Sequence, residues 1–233
     1  HQQIADPRPM IAGFQYSLHC RGSGRNLPMT LTELATRLNS RHPMGKSLPA
    51  VLLMTDEVRL PDPLPAVAAL PRGAGVILRH YNDPNRPDLA RELASLCRHH
   101  GLYLLIAGDG GMAMRVTAHG VHFPEWRAAE SRQWRQRCPH WLITAAAHSY
   151  RSLISAVHNG SDAAILGPVF STESHPGSKP LGVVRFAALI AAAQRTRCGY
   201  PVYALGGMNS KTARRISNSG AVGIAGISGV ARP

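Results

Sequence analysis

The sequence predicts an α/β fold: a single (β/α)8 barrel with an N-terminal helical extension and a missing or replaced last helix. Three observations predict it. From Pro49 onward, eight short apolar runs alternate with amphipathic segments, as in a parallel sheet with helical crossovers. The apolar residues are aliphatic and alanine-rich, with aromatics only 6% of the chain. Its 233 residues suit one such barrel.

Residues 1–48 read as an extension, rich in Gly, Pro, Arg and Ser, as in Arg21-Gly22-Ser23-Gly24-Arg25. One helix is expected near 30–40, with Thr30 as N-cap, Glu33 three residues on, and a Leu31, Leu34, Leu38 stripe. The barrel is expected over 49–233. Its strand candidates are Ala50–Met54, Gly75–Leu78, Tyr103–Ala107, Gly120–Phe123, Trp141–Ala147, Ala163–Val169, Val202–Leu205 and Gly223–Ile227. Helical spacing marks Asp88–His100, Ser149–Asn159, Val183–Gln194 and Lys211–Ser219 between them. A doubly wound sheet would want a glycine-rich turn after the first strand, whereas Thr55-Asp56-Glu57-Val58-Arg59 has none. Only six residues follow the last strand, so the eighth helix is expected to be missing, and the N-terminal helix can fill that gap.

Composition excludes several functions. No apolar run reaches the ~18 residues of a membrane span, and no signal pattern opens the chain, so a cytoplasmic protein is expected. The chain starts at His1 rather than Met, which points to a processed or partial chain. Lys and Arg outnumber Asp and Glu 26 to 13, a balance that attracts polyanions. The basic residues are scattered without aromatic interleaving, so nucleic acid is the least favoured partner and a small phosphorylated ligand a better one. Four cysteines without a C-x-x-C pair read as reduced thiols, with neither a disulfide framework nor a zinc site. Oligomeric state stays open, a homodimer among the options.

Barrel chemistry sits at the carboxyl ends of the strands. Those ends carry Thr55-Asp56, Arg79-His80-Tyr81, Gly108-Asp109, His122, His148-Ser149, Gly167 to Thr172, Gly206-Gly207-Met208-Asn209 and Gly226-Ile227-Ser228-Gly229. Glycines after strands seven and eight let backbone amides approach a ligand closely. Phosphate is expected at Gly206, Gly207, Ile227 and Ser228.

The later segments carry a specific resemblance. They are Ala147-His148-Ser149, Gly160-Ser161-Asp162-Ala163, Gly167-Pro168-Val169-Phe170-Ser171-Thr172-Glu173-Ser174, Pro180-Leu181-Gly182, Pro201 to Met208 and Gly223 to Ser228. In motif and spacing the chain resembles the thiamine phosphate synthase / TenI family. Looser matches at Leu53-Met54-Thr55-Asp56 and Gly120-Val121-His122 extend the likeness over residues 49–229.

The resemblance implies a thiazole phosphate substrate. In synthases it also implies a pyrimidine pyrophosphate, Mg2+ and cations around the leaving group. Here the strand-two pattern Gln-x-Arg-x-Lys reads Ile77, Arg79 and Tyr81, and the Asn-Asp metal pair falls on Ala107 and Gly108. A one-residue shift leaves Asp109 as the metal ligand, with Glu125 a substitute for the second carboxylate. The serine before the strand-five histidine is Ala146, and the strand-six loop reads Thr172-Glu173-Ser174-His175, without its lysine. Losing one preorganised charge-stabilising group costs ~10²–10³ in rate. The pattern therefore looks like the TenI branch, whose members aromatise a thiazole tautomer by moving a proton. His148 is the lead acid/base, with Arg79 and His122 as further catalytic candidates. Thr172, Ser174, His175 and His80 are assigned to the pyrophosphate and substrate loop. A true synthase with a remodelled pyrophosphate site, or a non-catalytic phosphate binder, are the alternatives.

Overall fold

The computed structural model describes residues 29–172 and 179–231. Ser174, His175 and the extension before Met29 lie outside the described residues. Eight parallel strands close into a barrel in sequence order: β1 Val51–Met54, β2 Gly75–Leu78, β3 Tyr103–Ala107, β4 Gly120–Phe123, β5 Leu142–Ala147, β6 Ala163–Leu166, β7 Val202–Leu205 and β8 Gly223–Gly226. β8 closes on β1 with Val51 opposite Ile224 and Leu53 opposite Gly226.

Strand periodicity sorts the apolar residues into two cores. Leu52, Met54, Ile77, Leu105, Ile165 and Tyr203 fill the barrel interior. Their neighbours Val51, Leu53, Val76, Leu78, Leu104 and Ile106 face outward, against the helices. Each buried aliphatic side chain contributes about 1.5–3 kcal/mol relative to exposure. Double burial explains why the strands read as unbroken apolar runs rather than alternating ones. The Tyr203 hydroxyl donates to Pro49 O at 2.7 Å and so closes the barrel floor.

The helices are α1 Leu31–Arg41, α2 Leu64–Ala68, α3 Arg86–His100, α4 Gly110–Arg115, α5 Glu130–Arg137, α6 Tyr150–His158, α7 Gly182–Thr196, α8 Ser210–Arg215 and α9 Ser228–Ala231. Thr30 caps α1 as its sequence suggests: Glu33 N donates to Thr30 Oγ1, and Thr30 N to the Glu33 carboxylate. α1 packs beside β1, β8, α8 and α9, and Asn39 Nδ2 ties it to Leu48 O and Val222 O. The last helix is thus replaced in a particular way: α9 is a single turn, with α1 beside it. No helix among the described residues is long and apolar enough to cross a membrane.

Sequence and structure differ in small, explicable ways. α2, α4 and α9 are too short to leave a helical stripe, and α5 buries only Ser131. β6 ends at Leu166 rather than Val169, because Pro168 has no N–H for the ladder. The chain still runs on beside β7, with Val169 N donating to Leu205 O and Phe170 N to Gly206 O.

Candidate active site

A cleft of about 360 Å3 opens at the carboxyl end of the barrel. That volume lies at the lower end for small-molecule sites and suits a ligand the size of one substituted ring with a phosphate. Arg59 and Arg79 border it on one side. His148, Pro168, Ser171 and Thr172 border it on another, and the loops Leu205 to Asn209 and Gly226 to Gly229 on a third.

The wall after β7 needs its glycines. Gly206 has φ +94° and Gly207 φ +65°, and a Cβ would come within 2.7 Å of Pro168 Cα at the first and 2.6 Å of Ser171 O at the second. No ordinary side chain fits either position. Their carbonyls are committed: Gly206 O accepts from Phe170 N, and Gly207 O from Thr212 Oγ1 at 2.8 Å. In trans peptides the following N–H groups, of Gly207 and Met208, point away from those donors. Asn209 then caps α8, its Oδ1 accepting from Lys211 N and Thr212 N. Gly229 packs against Met208 O, so the loops after β7 and β8 form one continuous wall.

His148 stands at the end of β5, where Ser149 caps α6 and fixes the turn. Its backbone N donates to Ser152 Oγ at 3.0 Å and to Glu125 Oε2 at 3.1 Å. Nδ1 lies 2.7 Å from Gly167 O. A carbonyl only accepts, so a proton sits on Nδ1, and Nε2 is the nitrogen that can exchange one.

Arg79 extends from β2 and pairs with Asp56 at 3.4 Å. Burial would raise the Asp56 carboxyl, but the Arg59 and Val58 amides and the Arg79 and Arg59 charges outweigh it. The group stays ionised below the usual range. The Arg79 amide donates to Thr55 Oγ1, which lies 2.9 Å from His80 Nδ1. His80 is buried, and its Nε2 lies 3.4 Å from Pro61 O. His80 thus ties the loop after β1 to β2 and does not border the cleft. His122 is buried too, with Nδ1 2.9 Å from Thr144 Oγ1. Desolvation first, then the Arg79 charge and that of His148 when protonated, push it down to about 3, so it is neutral at physiological pH.

Of the expected site residues, the cleft gathers His148, Arg79, Thr172, Gly206, Gly207, Ile227 and Ser228. It adds Arg59, Ser171 and Asn209, which inspection of strand termini alone does not single out as ligand contacts. Arg59 lies three residues past Asp56, and its amide donates to that carboxylate at 3.0 Å. Counting charges along each loop, rather than at strand ends, would have found it.

Asp109 caps α4: Oδ1 accepts from Met112 N at 2.7 Å, and Oδ2 is 4.0 Å from Arg115. Glu125 holds the His148 amide. The neighbouring carbonyls are occupied by cations, Ala107 O by Arg86 and Gly108 O by Arg127. Among the described residues no three His, Cys, Asp or Glu side chains group as a metal site. This donor set does not fit a Mg2+ ion.

Comparison with known proteins draws these features together. Residues 63–230 match the model of the family described as thiamine monophosphate synthase. The chain belongs to the thiamine monophosphate synthase family. Thiamine-phosphate synthase of Thioalkalivibrio sulfidiphilus is 31% identical over 87% of this chain and 93% of its own length. Thiamine-phosphate synthase of Bacillus velezensis is 25% identical over 83% and 88%. Among solved structures, thiamine phosphate pyrophosphorylase from Pyrococcus furiosus superposes with a TM-score of 0.64. It is 25% identical, over 78% of this chain and 87% of that one. In this family member the match spans the loops after β5 to β8, and so includes His148 and both halves of the glycine wall.

Proposed function

We propose that this family member binds a thiazole phosphate and moves a proton on its ring, the TenI-like activity. The phosphate lies against Gly206, Gly207, Ile227 and Ser228, whose backbone approaches an anion closely. His148 Nε2 accepts the proton and returns it at a second ring atom, while Gly167 O fixes the tautomer that makes this sequence work. Arg79 stabilises negative charge developing on the ring. Neutral His122, hydrogen-bonded to Thr144, acts as a positioning residue near Arg79 and His148. Thr172 contributes a hydroxyl at the rim of the cleft.

What carries the reading is one observation: a single cleft of ligand size is bordered by the glycine wall, His148 and Arg79 together. Tautomerisation assayed on the thiazole phosphate tautomer tests it. Turnover that falls with His148→Ala while ligand affinity holds supports the shuttle, and undiminished turnover refutes it.

Synthase chemistry is the second reading, favoured by the names of full-length relatives such as the Thioalkalivibrio protein. It predicts thiamine phosphate from pyrimidine pyrophosphate and thiazole phosphate. No product at high enzyme concentration with Mg2+ would remove it.

A further inference from the structure

Basic residues that lie scattered along the sequence converge in the fold. The barrel helices run from mouth to floor, so their last turns gather around the strand starts. α1 ends in Arg41, α3 in Arg98-His99-His100, α5 in Arg135-Gln136-Arg137, and Arg195 lies in the last turn of α7. Arg72 joins them from the turn before β2, where a Cβ built on Gly101 would lie 2.8 Å from its guanidinium. Arg98 Nη1 lies 3.5 Å from Thr117 Oγ1, before β4. Arg135 donates to Pro139 O and Trp141 O before β5, and Arg197 to Ser161 O before β6. One arc of guanidinium groups thus crosses the floor from β2 to β6.

The floor is nearly without counter-charge. In the segments that enter the eight strands, 42–50, 69–74, 101–102, 116–119, 138–141, 159–162, 197–201 and 216–222, the one carboxylate is Asp162, and Arg135 holds it. Segments that leave the strands carry Asp56, Glu57, Asp62, Asp83, Asp109 and Glu125. Helix dipoles favour a cation at each helix end, but they account neither for Arg72, which lies in a turn, nor for loops stripped of carboxylates. Flat rings lie among the cations: Tyr103 and His119 are 5.2 Å apart between centroids, and His99 meets His100 at the same distance.

Three of the 26 Lys and Arg are lysine, and arginine is the cation that grips phosphate oxygens in pairs. Rings beside arginines suit bases as well as phosphates, which favours a nucleic acid over a bare polyphosphate. A membrane surface would need apolar anchors, whereas the most exposed large apolar side chains among the described residues, Val58, Trp126 and Val184, lie towards the mouth. We propose that the barrel floor binds single-stranded nucleic acid, its arginines on the phosphate backbone and its rings against bases. This face lies at the opposite end of the barrel from the cleft, so the proposal goes beyond the thiazole phosphate reading and does not depend on it.

Fluorescence anisotropy of a labelled thymidine oligonucleotide of about twenty nucleotides, titrated with the full chain across a salt series, tests the proposal. Saturable binding is expected, with log K falling linearly against log salt. A floor variant combining Arg98→Gln, Arg137→Gln and Arg195→Gln should bind about tenfold or more weakly and lose about two units of that slope, at ~0.7 for each phosphate contact. A control combining Arg91→Gln, Arg151→Gln and Arg185→Gln makes the same change in net charge on the mouth halves of α3, α6 and α7, and should stay within about twofold of wild type. Should the floor variant not fold, its three single substitutions decide, each expected to take ~0.7 from the slope. Equal losses in floor and control variants, or no saturable binding at low salt, would overturn the proposal. So would inorganic polyphosphate competing as well as unlabelled oligonucleotide at equal phosphate, or binding to phosphatidylserine vesicles without binding to the oligonucleotide.

Discussion

The two sides of the barrel mouth present different chemistry. Over β5 to β8, an anion would meet glycine backbone, small hydroxyls and one histidine whose tautomer is fixed. Over β2 to β4, the mouth presents guanidinium groups stacked against Tyr81 and seated on strand carbonyls. Backbone recognition depends on close approach and tolerates no added atom. Side-chain contacts depend on charge and tolerate rearrangement. The first kind is rigid in sequence, which is why the family resemblance concentrates there, while the second can be rebuilt from arginines on different elements.

The contrast can be broken from either side. The largest effect is expected at His148: replacement by alanine should lower proton-transfer turnover by ~10²–10⁴ with thiazole phosphate affinity changed only a few-fold, as steady-state and calorimetric measurements would separate. Gly207→Ala comes next. Its positive φ and the 2.6 Å approach to Ser171 O impose strain on the order of 1–3 kcal/mol, and the displaced wall should weaken ligand binding roughly tenfold or more. Circular dichroism would establish that the barrel is intact. Arg79→Met should cost about tenfold in turnover and also remove the Arg79–Asp56 ion pair. An Arg79→Met enzyme as fast as wild type would mean the two sides act independently.

The smallest effect at neutral pH is expected from His122, whose contribution shows only in acid. His122 is held down to about 3 when folded and returns to an ordinary histidine value of about 6.5 when unfolded. Between those values the unfolded chain binds more protons, so stability is full above pH ~6.5 and declines as pH falls towards ~3. Buried His42, also lowered by desolvation, adds to the same slope. Denaturant melts across this window should show His122→Gln reducing the slope by about one proton. An unchanged slope would mean that His122 is not buried neutral.

Much of this molecule was legible in its sequence because the barrel writes each strand as a doubly buried apolar run. β2, β3, β4 and β7 coincide with their expected bounds, and Thr30 with Glu33 announces α1 in four residues. The glycine wall was legible for a related reason: only glycine fits at 206 and 207, so the backbone constraint is visible as composition. The arginine side was not. Arg86 opens α3 and Arg127 follows β4, forty-one positions apart, and nothing in their spacing says that both reach the carbonyls after β3. His80 misled in the opposite sense. A histidine beside Arg79 at a strand end resembles an anion contact, yet Thr55 and Pro61 occupy both its nitrogens and turn it into the wall. Asp109 likewise looks like a metal ligand until its cap on α4 is counted.

One titration tests the central claim, that the glycine wall holds a phosphorylated thiazole without a divalent cation. Thiazole phosphate is titrated calorimetrically into the chain in EDTA, beside the Gly207→Ala variant. The account predicts saturable one-to-one binding that the variant weakens roughly tenfold or more. No binding without Mg2+, or equal binding by both proteins, would contradict it.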